Sequence, residues 1–321
     1  MPLFDIDATQ LPHYRPEVAE PADFDAFWDR TLAEARAHDL AVDVAPVDGH
    51  LRALETYDLS FSGFGGHRVR AWYLRPAGRE ERLPAVVQYL GYGGGRGLPH
   101  SRLLWAAAGY ASVVVDTRGQ GTSATNGHGA TADPVGGGVS APGTLTRGIE
   151  SPGDHYYRRV FTDAVRAVDA VRELPGVDPA RVAVTGISQG GGIATAVAGL
   201  TDVAAVMPDV PWLCHIRRGV ETAPDGPYDE VRTYLASHRD RVEQTFRTLS
   251  YLDGVNHARR AQAPALYSVA LMDTVCPPST VWAAANHYGG EVTVEVYPFN
   301  EHEGGGDLHR ERQLTWLAEH L

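Results

Sequence analysis

The sequence predicts an α/β fold in which a mostly parallel central sheet carries helices on both faces. Three observations predict it. From residue 85 onward, short apolar runs alternate with helical stretches, the pattern of strands buried on both sides. Before that, residues 54–61 and 68–74 alternate in polarity around the glycine-rich turn at 62–66, as an antiparallel pair does. Between them in importance stands Val182-Ala183-Val184-Thr185-Gly186-Ile187-Ser188-Gln189-Gly190, which reads as strand, sharp turn and helix start.

Taken in order, residues 1–50 form a peripheral extension, with a helix beginning near Pro21 that places Phe24, Phe27 and Trp28 on one face. Residues 85–90 are a strand, 102–108 a helix, 111–116 a strand and 160–174 a long amphipathic helix. The strand at 182–185 and its helix follow, then strands at 204–207, 265–270 and 292–297 and a final helix. Two stretches break the rhythm. Residues 117–155, rich in glycine, threonine and serine, form a long loop region of the kind that tends to be functional. Residues 208–262 are mostly helical and are expected as a cap over the carboxyl ends of the strands, where ligands sit in such sheets. No linker divides the chain, so 1–321 is expected as a single domain.

Composition excludes several functions. A net charge of −12 leaves no basic face for a nucleic acid. Lysine is absent, which removes P-loop and Schiff-base chemistry. Cys214 and Cys276 are far apart and form no C-x-x-C, so two free thiols in a reducing compartment are expected. Residues 1–7 are acidic and lack the basic and apolar regions of a secretory signal. No apolar run is long enough to span a bilayer, and a cytoplasmic location is expected.

The chemistry centres on G-x-S-x-G. A serine between glycines at a strand-to-helix turn is the nucleophile elbow of an α/β-hydrolase sheet. Such a serine needs a base, and the base needs a carboxylate, in the chain order serine, acid, histidine. Asp273 follows the strand ending near Met272, and His302 follows the strand ending near Phe299. Asp253 and Asp209 are the weaker alternative acids, and His309 is the rival histidine. Asp273 has a competing reading as the cap of a helix starting near Pro278. The oxyanion donors are expected to be the N–H groups of Gln189, directly after the serine, and of Tyr92 in Gly91-Tyr92-Gly93-Gly94-Gly95. Two decoys fail on spacing. A dinucleotide motif from Gly91 or Gly93 meets Arg96 or Leu98 where the third glycine belongs. A zinc-protease motif from His302 meets Gly306 where the second histidine belongs, and His128 has no partner at ligand spacing. No cofactor or metal is expected. The residues alone are compatible with an esterase, a lactonase, a thioesterase or an amidase, and an inactive hydrolase-fold binding protein is disfavoured by the complete triad.

Three segments together resemble carbohydrate esterase family seven, the acetyl xylan esterases and cephalosporin C deacetylases. They are Arg118-Gly119-Gln120, Gly186-Ile187-Ser188-Gln189-Gly190 and His302-Glu303. Further matches are Thr146-Arg147-Gly148-Ile149, Tyr156-Tyr157-Arg158, and Asp273 with Pro277-Pro278. The similarity runs through most of residues 15–320. It implies an α/β-hydrolase that removes acetyl groups from small acetylated sugars and from cephalosporin C, with Ser188, Asp273 and His302 as triad. It also implies that Arg118 and Gln120 brace the active-site loops, that Trp212 and Pro227 border the substrate, and that the chain forms a homo-oligomer, a hexamer in the family. One departure stands out. Many members have His-Gly-Tyr where this chain has Leu90-Gly91-Tyr92, which puts the hydrogen bonding of the acyl pocket in question.

Overall fold

The computed structural model describes residues 5–122, 127–135 and 143–321. Among them lie nine strands: β1 (Asp43–Pro46), β2 (Leu54–Ser62), β3 (Arg68–Pro76), β4 (Leu83–Tyr89), β5 (Ala111–Val115), β6 (Val177–Ile187), β7 (Ala205–Asp209), β8 (Ala265–Ala270) and β9 (Val292–Tyr297). They form one sheet in the order β1-β2-β3-β5-β4-β6-β7-β8-β9. The first three strands join antiparallel, up to and including the β3–β5 pair, and all later pairs are parallel. Strand order turns back at β4, with β5 on one side and β6 on the other.

The sheet is covered on both faces. One face carries α3 (Tyr156–Glu173), α4 (Gln189–Leu200), α8 (Gly254–Ala258) and α9 (Pro278–His287), with α1 (Phe24–Arg36) packed outside α3. The other carries α2 (Leu104–Ala107) and α10 (Gly306–His320). The period of two in a strand shows directly in the core. Val87 and Val184 belong to the larger apolar cluster under α3 and α4. Their neighbours Val86 and Ala183 belong to the cluster with Trp316 and Leu317 of α10. Central strands need apolar residues at every position for this reason, which is why they read as continuous runs.

The long helix starts earlier than expected because His155 caps it, accepting from the Tyr157 amide at 3.1 Å. β1 is absent from the sequence reading: it is a four-residue edge strand with no buried residue. β6 is eleven residues where four are expected, since its first half lacks the apolar run. Residues 208–262 contain α5 (Ile216–Thr222), α6 (Asp229–Ser237), α7 (Val242–Ser250) and α8. All five residues of α8 are buried, and it packs against α4 and α9 as part of the layer on the sheet. Within the expected loop region 117–155, residues 123–126 and 136–142 lie outside the described residues.

The N-terminal extension is clamped to the body. Phe24, Phe27 and Trp28 are buried as expected, and the Trp28 indole donates to the Tyr251 carbonyl at 3.0 Å. Asn286 donates to the Leu11 and Tyr14 carbonyls at 3.0 and 2.9 Å. Both cysteines are free and buried. Among the described residues no helix is long and apolar enough to cross a membrane.

Burial pushes the pKa of His155 and of His215 down to about 4 and that of His257 down to about 3. A histidine whose folded pKa lies below the unfolded value, roughly 6.5, stabilises the fold fully above that value. That contribution is lost as pH falls towards the folded pKa. His257 sits among the rings of Phe24, Trp28 and Phe161, at centroid distances of 5.0, 5.3 and 5.4 Å. His257→Leu is therefore expected to gain stability on the wild type as pH falls from 6.5 to 5, by up to about 1.4 kcal/mol per pH unit. Thermal unfolding of the two proteins across this range checks it, and parallel pH profiles would contradict it.

Candidate active site

β6 runs straight into Ser188, and α4 begins at the next residue. Ser188 has φ 58° and ψ −118°, a region that a residue with a side chain enters at a cost of roughly 1–3 kcal/mol. The surroundings hold it there. Its N–H donates to the Asp209 carbonyl at 2.9 Å, and its own carbonyl accepts from Gly192 at 3.0 Å and Trp212 at 2.9 Å. The turn is too tight for side chains beside it. A Cβ on Gly190 would stand 2.3 Å from the Tyr89 oxygen, and one on Gly192 would stand 2.1 Å from the Trp212 oxygen.

The last two parallel strands, β8 and β9, deliver the partners. Asp273 follows β8 and is fully buried. Its Oδ1 accepts from the amides of Val275 and Cys276 at 2.8 and 2.9 Å, and its Oδ2 lies 2.9 Å from His302 Nδ1. His302 follows β9, and about a third of its side chain is exposed. With Nδ1–H turned to the carboxylate, Nε2 is left as the acceptor. The Cys276 thiol lies beside Ser188. Its Sγ, an Asp273 oxygen and a His302 ring nitrogen lie within 4.8 Å of one another. His302 and Asp273 thus pair beside Cys276, just past the ends of β9 and β8. Burial pushes the Cys276 thiol well up, so it stays protonated and is no competing nucleophile.

The alternatives are occupied elsewhere. Asp253 caps α8 and accepts from the amides of His215 and Ile216. Asp209 and His309, the rival acid and rival base, pair with each other at 3.0 Å. Helix α9 is capped by Pro277, so Asp273 does not serve as its N-cap. Asp273, Cys276 and His302 are the one close set of metal-ligand side chains among the described residues. Both oxygens of Asp273 are already engaged, by the two amides and by His302. His128 is exposed and joins no such set.

Neither the Tyr92 amide nor the Gln189 amide has an acceptor among the described residues. The side chains of Gln189, Gln120 and Tyr92 around them are hydrogen-bonded. Gln189 Nε2 donates to the Leu90 carbonyl at 3.0 Å, and its Oε1 accepts from the Tyr157 hydroxyl at 2.7 Å. Gln120 and Gln189 exchange amide hydrogen bonds of 2.9 and 3.2 Å. Gln120 Oε1 also accepts from the Gly93 amide at 2.7 Å, which ties the two donor loops together. The Tyr92 hydroxyl accepts from the amides of Gly143 and Thr144 at 2.7 and 2.8 Å and donates to Glu230 Oε1. Glu230 Oε2 accepts from the Leu145 amide at 2.8 Å. Burial raises the pKa of Glu230 and pushes that of Tyr92 up to about 12.

One expectation needs correction. Trp212 has no accessible surface; it packs edge-on against Tyr92 at 5.3 Å and beside Tyr157 and Tyr228. It is the wall behind Tyr92 and offers no face to a ligand. Pro227, just before α6, is half-buried. Leu90 is buried too, in an apolar cluster with Trp72, Leu74, Ala106 and Val114. Its side chain serves the core. Glu230 and Thr144 were not singled out by sequence reasoning, and Tyr157 entered it only as part of a matching run. Tyr92 and Glu230 are 138 positions apart, and no local motif joins them.

The profile of the acetyl xylan esterase (AXE1) family matches residues 1–320. The structure is similar to an acetyl xylan esterase from Paenibacillus sp. R4, with TM-score 0.92 and 38% identity, covering 98% of this chain and 100% of that one. It is also similar to acetyl xylan esterase 1 from Thermoanaerobacterium sp. JW/SL YS485, with TM-score 0.88 and 34% identity, covering 97% and 99%. An acetyl esterase of Xylanibacter ruminicola, Axe7A, is 26% identical over 322 residues, which is 96% of this chain and 69% of that protein.

The tight packing of the elbow sets a stability test. Gly190→Ala is expected to lower stability by at least about 2 kcal/mol or to prevent folding, because the added Cβ meets rigid backbone. Gly153→Ala, whose Cβ would find its nearest neighbour at 3.5 Å, is expected to stay within about 0.5 kcal/mol of wild type. Equal melting temperatures for the two variants would contradict this packing.

Proposed function

The chain belongs to the acetyl xylan esterase family, and from that premise we propose that Ser188, His302 and Asp273 carry its ester hydrolysis, with the N–H groups of Tyr92 and Gln189 as oxyanion hole. The protein is a carboxylic ester hydrolase that deacetylates substrates of the xylan type. The observation that carries the residue roles is the pair of unpartnered amides beside a strained serine and a His–Asp pair.

The reaction then runs in two halves. Ser188 Oγ attacks the acetyl carbonyl carbon while His302 Nε2 takes its proton. The carbonyl oxygen gains negative charge and is held by the two backbone N–H groups. Asp273 keeps the imidazole in the right tautomer and stabilises its cation. Collapse breaks the ester C–O bond, and His302 gives its proton to the departing sugar hydroxyl. Water attacks the acetyl-serine with His302 again as base, and acetate leaves. We extend the proposal to the acetyl ester of cephalosporin C, which the motif resemblance supports. A cytoplasmic homo-oligomer is also proposed. The two unpaired cysteines support the compartment, and the exposed Phe299 and Leu308 on either side of His302 support the assembly.

Three outcomes test these roles. Ser188→Ala is expected to lower p-nitrophenyl acetate hydrolysis at least ~1,000-fold with the fold intact, and an unchanged rate would sink the mechanism. Acetyl esters are expected to be cleaved faster than butyryl and octanoyl esters; a preference for the longest chain would overturn the deacetylase reading. Glu230→Ala removes the acceptor of the Tyr92 hydroxyl, leaving it held only by the Gly143 and Thr144 amides, and is expected to lower kcat roughly tenfold with KM little changed, since a misplaced oxyanion donor weakens transition-state binding. Glu230→Gln keeps one acceptor and is expected to recover most of that loss. Equal losses in kcat for both variants, or a change confined to KM, would contradict the positioning role.

A further inference from the structure

β4, β6 and β7 end side by side, and on the α10 face their last inward side chains are Gln88, Thr185 and Asp209. With residues 101–105 and the first turns of α10, they line a cavity of about 430 Å³. None of Ser188, His302, Asp273, Tyr92 or Gln189 lines it. It lies at the turning point of strand order between β4 and β6, where open α/β sheets receive ligands. The catalytic groups use one side of that crevice. The cavity opens on the other, reaching Ile187 and Glu303, the sequence neighbours of Ser188 and His302.

One cation of the cavity, Arg102, pairs with none of the carboxylates that line it. Arg102 is half-buried, and its guanidinium has no hydrogen-bond or ion-pair partner among the described residues. The charged group that acts on it is a second guanidinium, that of Arg310, and burial together with this repulsion lowers its pKa. The carboxylates around the cavity are mostly engaged. Asp209 accepts from His309 and Gln313, Glu303 from Asn300 and the Glu301 amide, and Asp307 from Arg310. Glu311 stands exposed at the rim. Gln88 likewise has no side-chain partner among the described residues, so its amide offers both donors and an acceptor. Trp105 borders the cavity but is itself packed into the core with Trp316 and Leu317.

We propose that this cavity is a second binding site, for the carboxylate of a sugar acid of hexuronate size. A guanidinium fork suits a carboxylate, and an unpaired amide suits ring hydroxyls. The volume falls in the range of pockets for small organic ligands, about 300–1,000 Å³, which a lone acetate or phosphate would leave largely unfilled. The site stands apart from the assignment of Ser188 and does not rest on it.

Calorimetry on the full-length Ser188→Ala protein separates binding here from turnover. D-glucuronate is expected to bind saturably at one site per chain. D-glucose, acetate and inorganic phosphate are expected to bind at least tenfold more weakly. Arg102→Gln, added to Ser188→Ala, is expected to weaken glucuronate at least tenfold. Arg102→Gln alone should hydrolyse p-nitrophenyl acetate at the wild-type rate, which shows that the fold survives. No saturable glucuronate binding would overturn the site. Binding indifferent to Arg102→Gln would overturn its location, and equal affinity for acetate or phosphate would overturn the sugar-acid assignment.

Discussion

Two peptide N–H groups have to stay unpaired and aimed at one point, and the polar structure around Ser188 is arranged to permit that. An unsatisfied amide costs on the order of 1–3 kcal/mol where water is scarce, so a free loop would turn it towards the nearest carbonyl. Here every neighbouring group is already taken. Gln189 spends its side chain on Leu90, Tyr157 and Gln120, and Gln120 holds the Gly93 amide. Tyr92 is pinned from its far end by Glu230 and the amides of Gly143 and Thr144. The backbone of both donors is thereby fixed by side chains that never face a substrate. Preorganisation of this kind lets the donors act without rearranging as charge develops.

The same network depends on charge buried further back. Arg118 forms a fork with Asp163, at 2.5 and 2.7 Å, and reaches Asp133, which also takes Arg159 at 2.6 Å. The side chains of Arg118 and Asp133 are fully buried. Removing one member would leave an uncompensated buried charge, a loss of roughly 3–5 kcal/mol. Because Arg118 is two residues before Gln120, this cluster fixes the loop after β5 onto α3 and so places the Gln120 amide. The Tyr156 hydroxyl joins the two parts: it accepts from Gln120 at 3.1 Å and donates to the Arg118 carbonyl. The Arg-Gly-Gln sequence is therefore a structural device acting on the oxyanion donors at one remove.

Much of this was legible in the residues, for physical reasons. Central parallel strands must be apolar on both faces, so β4, β5 and β8 stand out. The elbow has a local signature because tight backbone approach demands glycine around Ser188. Asp273 and His302 could be placed because each follows a recognisable strand. What stayed hidden has no local signature. β1 is too short and too exposed to show a period. Glu230 is an ordinary half-buried acid on α6 until the fold brings it to Tyr92. Trp212 was misjudged because sequence position does not say which way a side chain points: it faces the core. Asp209 and His309 show the reverse hazard, a second Asp–His pair in the right chain region that takes no part in the triad.

The central claim is that Ser188 forms a covalent bond to the acyl group while His302 and the two amides serve it. Trapping with a reactive organophosphate ester, followed by peptide mapping by mass spectrometry, tests that bond directly. The expected result is one phosphoryl group per chain, located on the peptide containing Ser188, with activity lost in proportion to labelling. Label on another residue in the inactivated enzyme, or full labelling of Ser188 with activity retained, would contradict it.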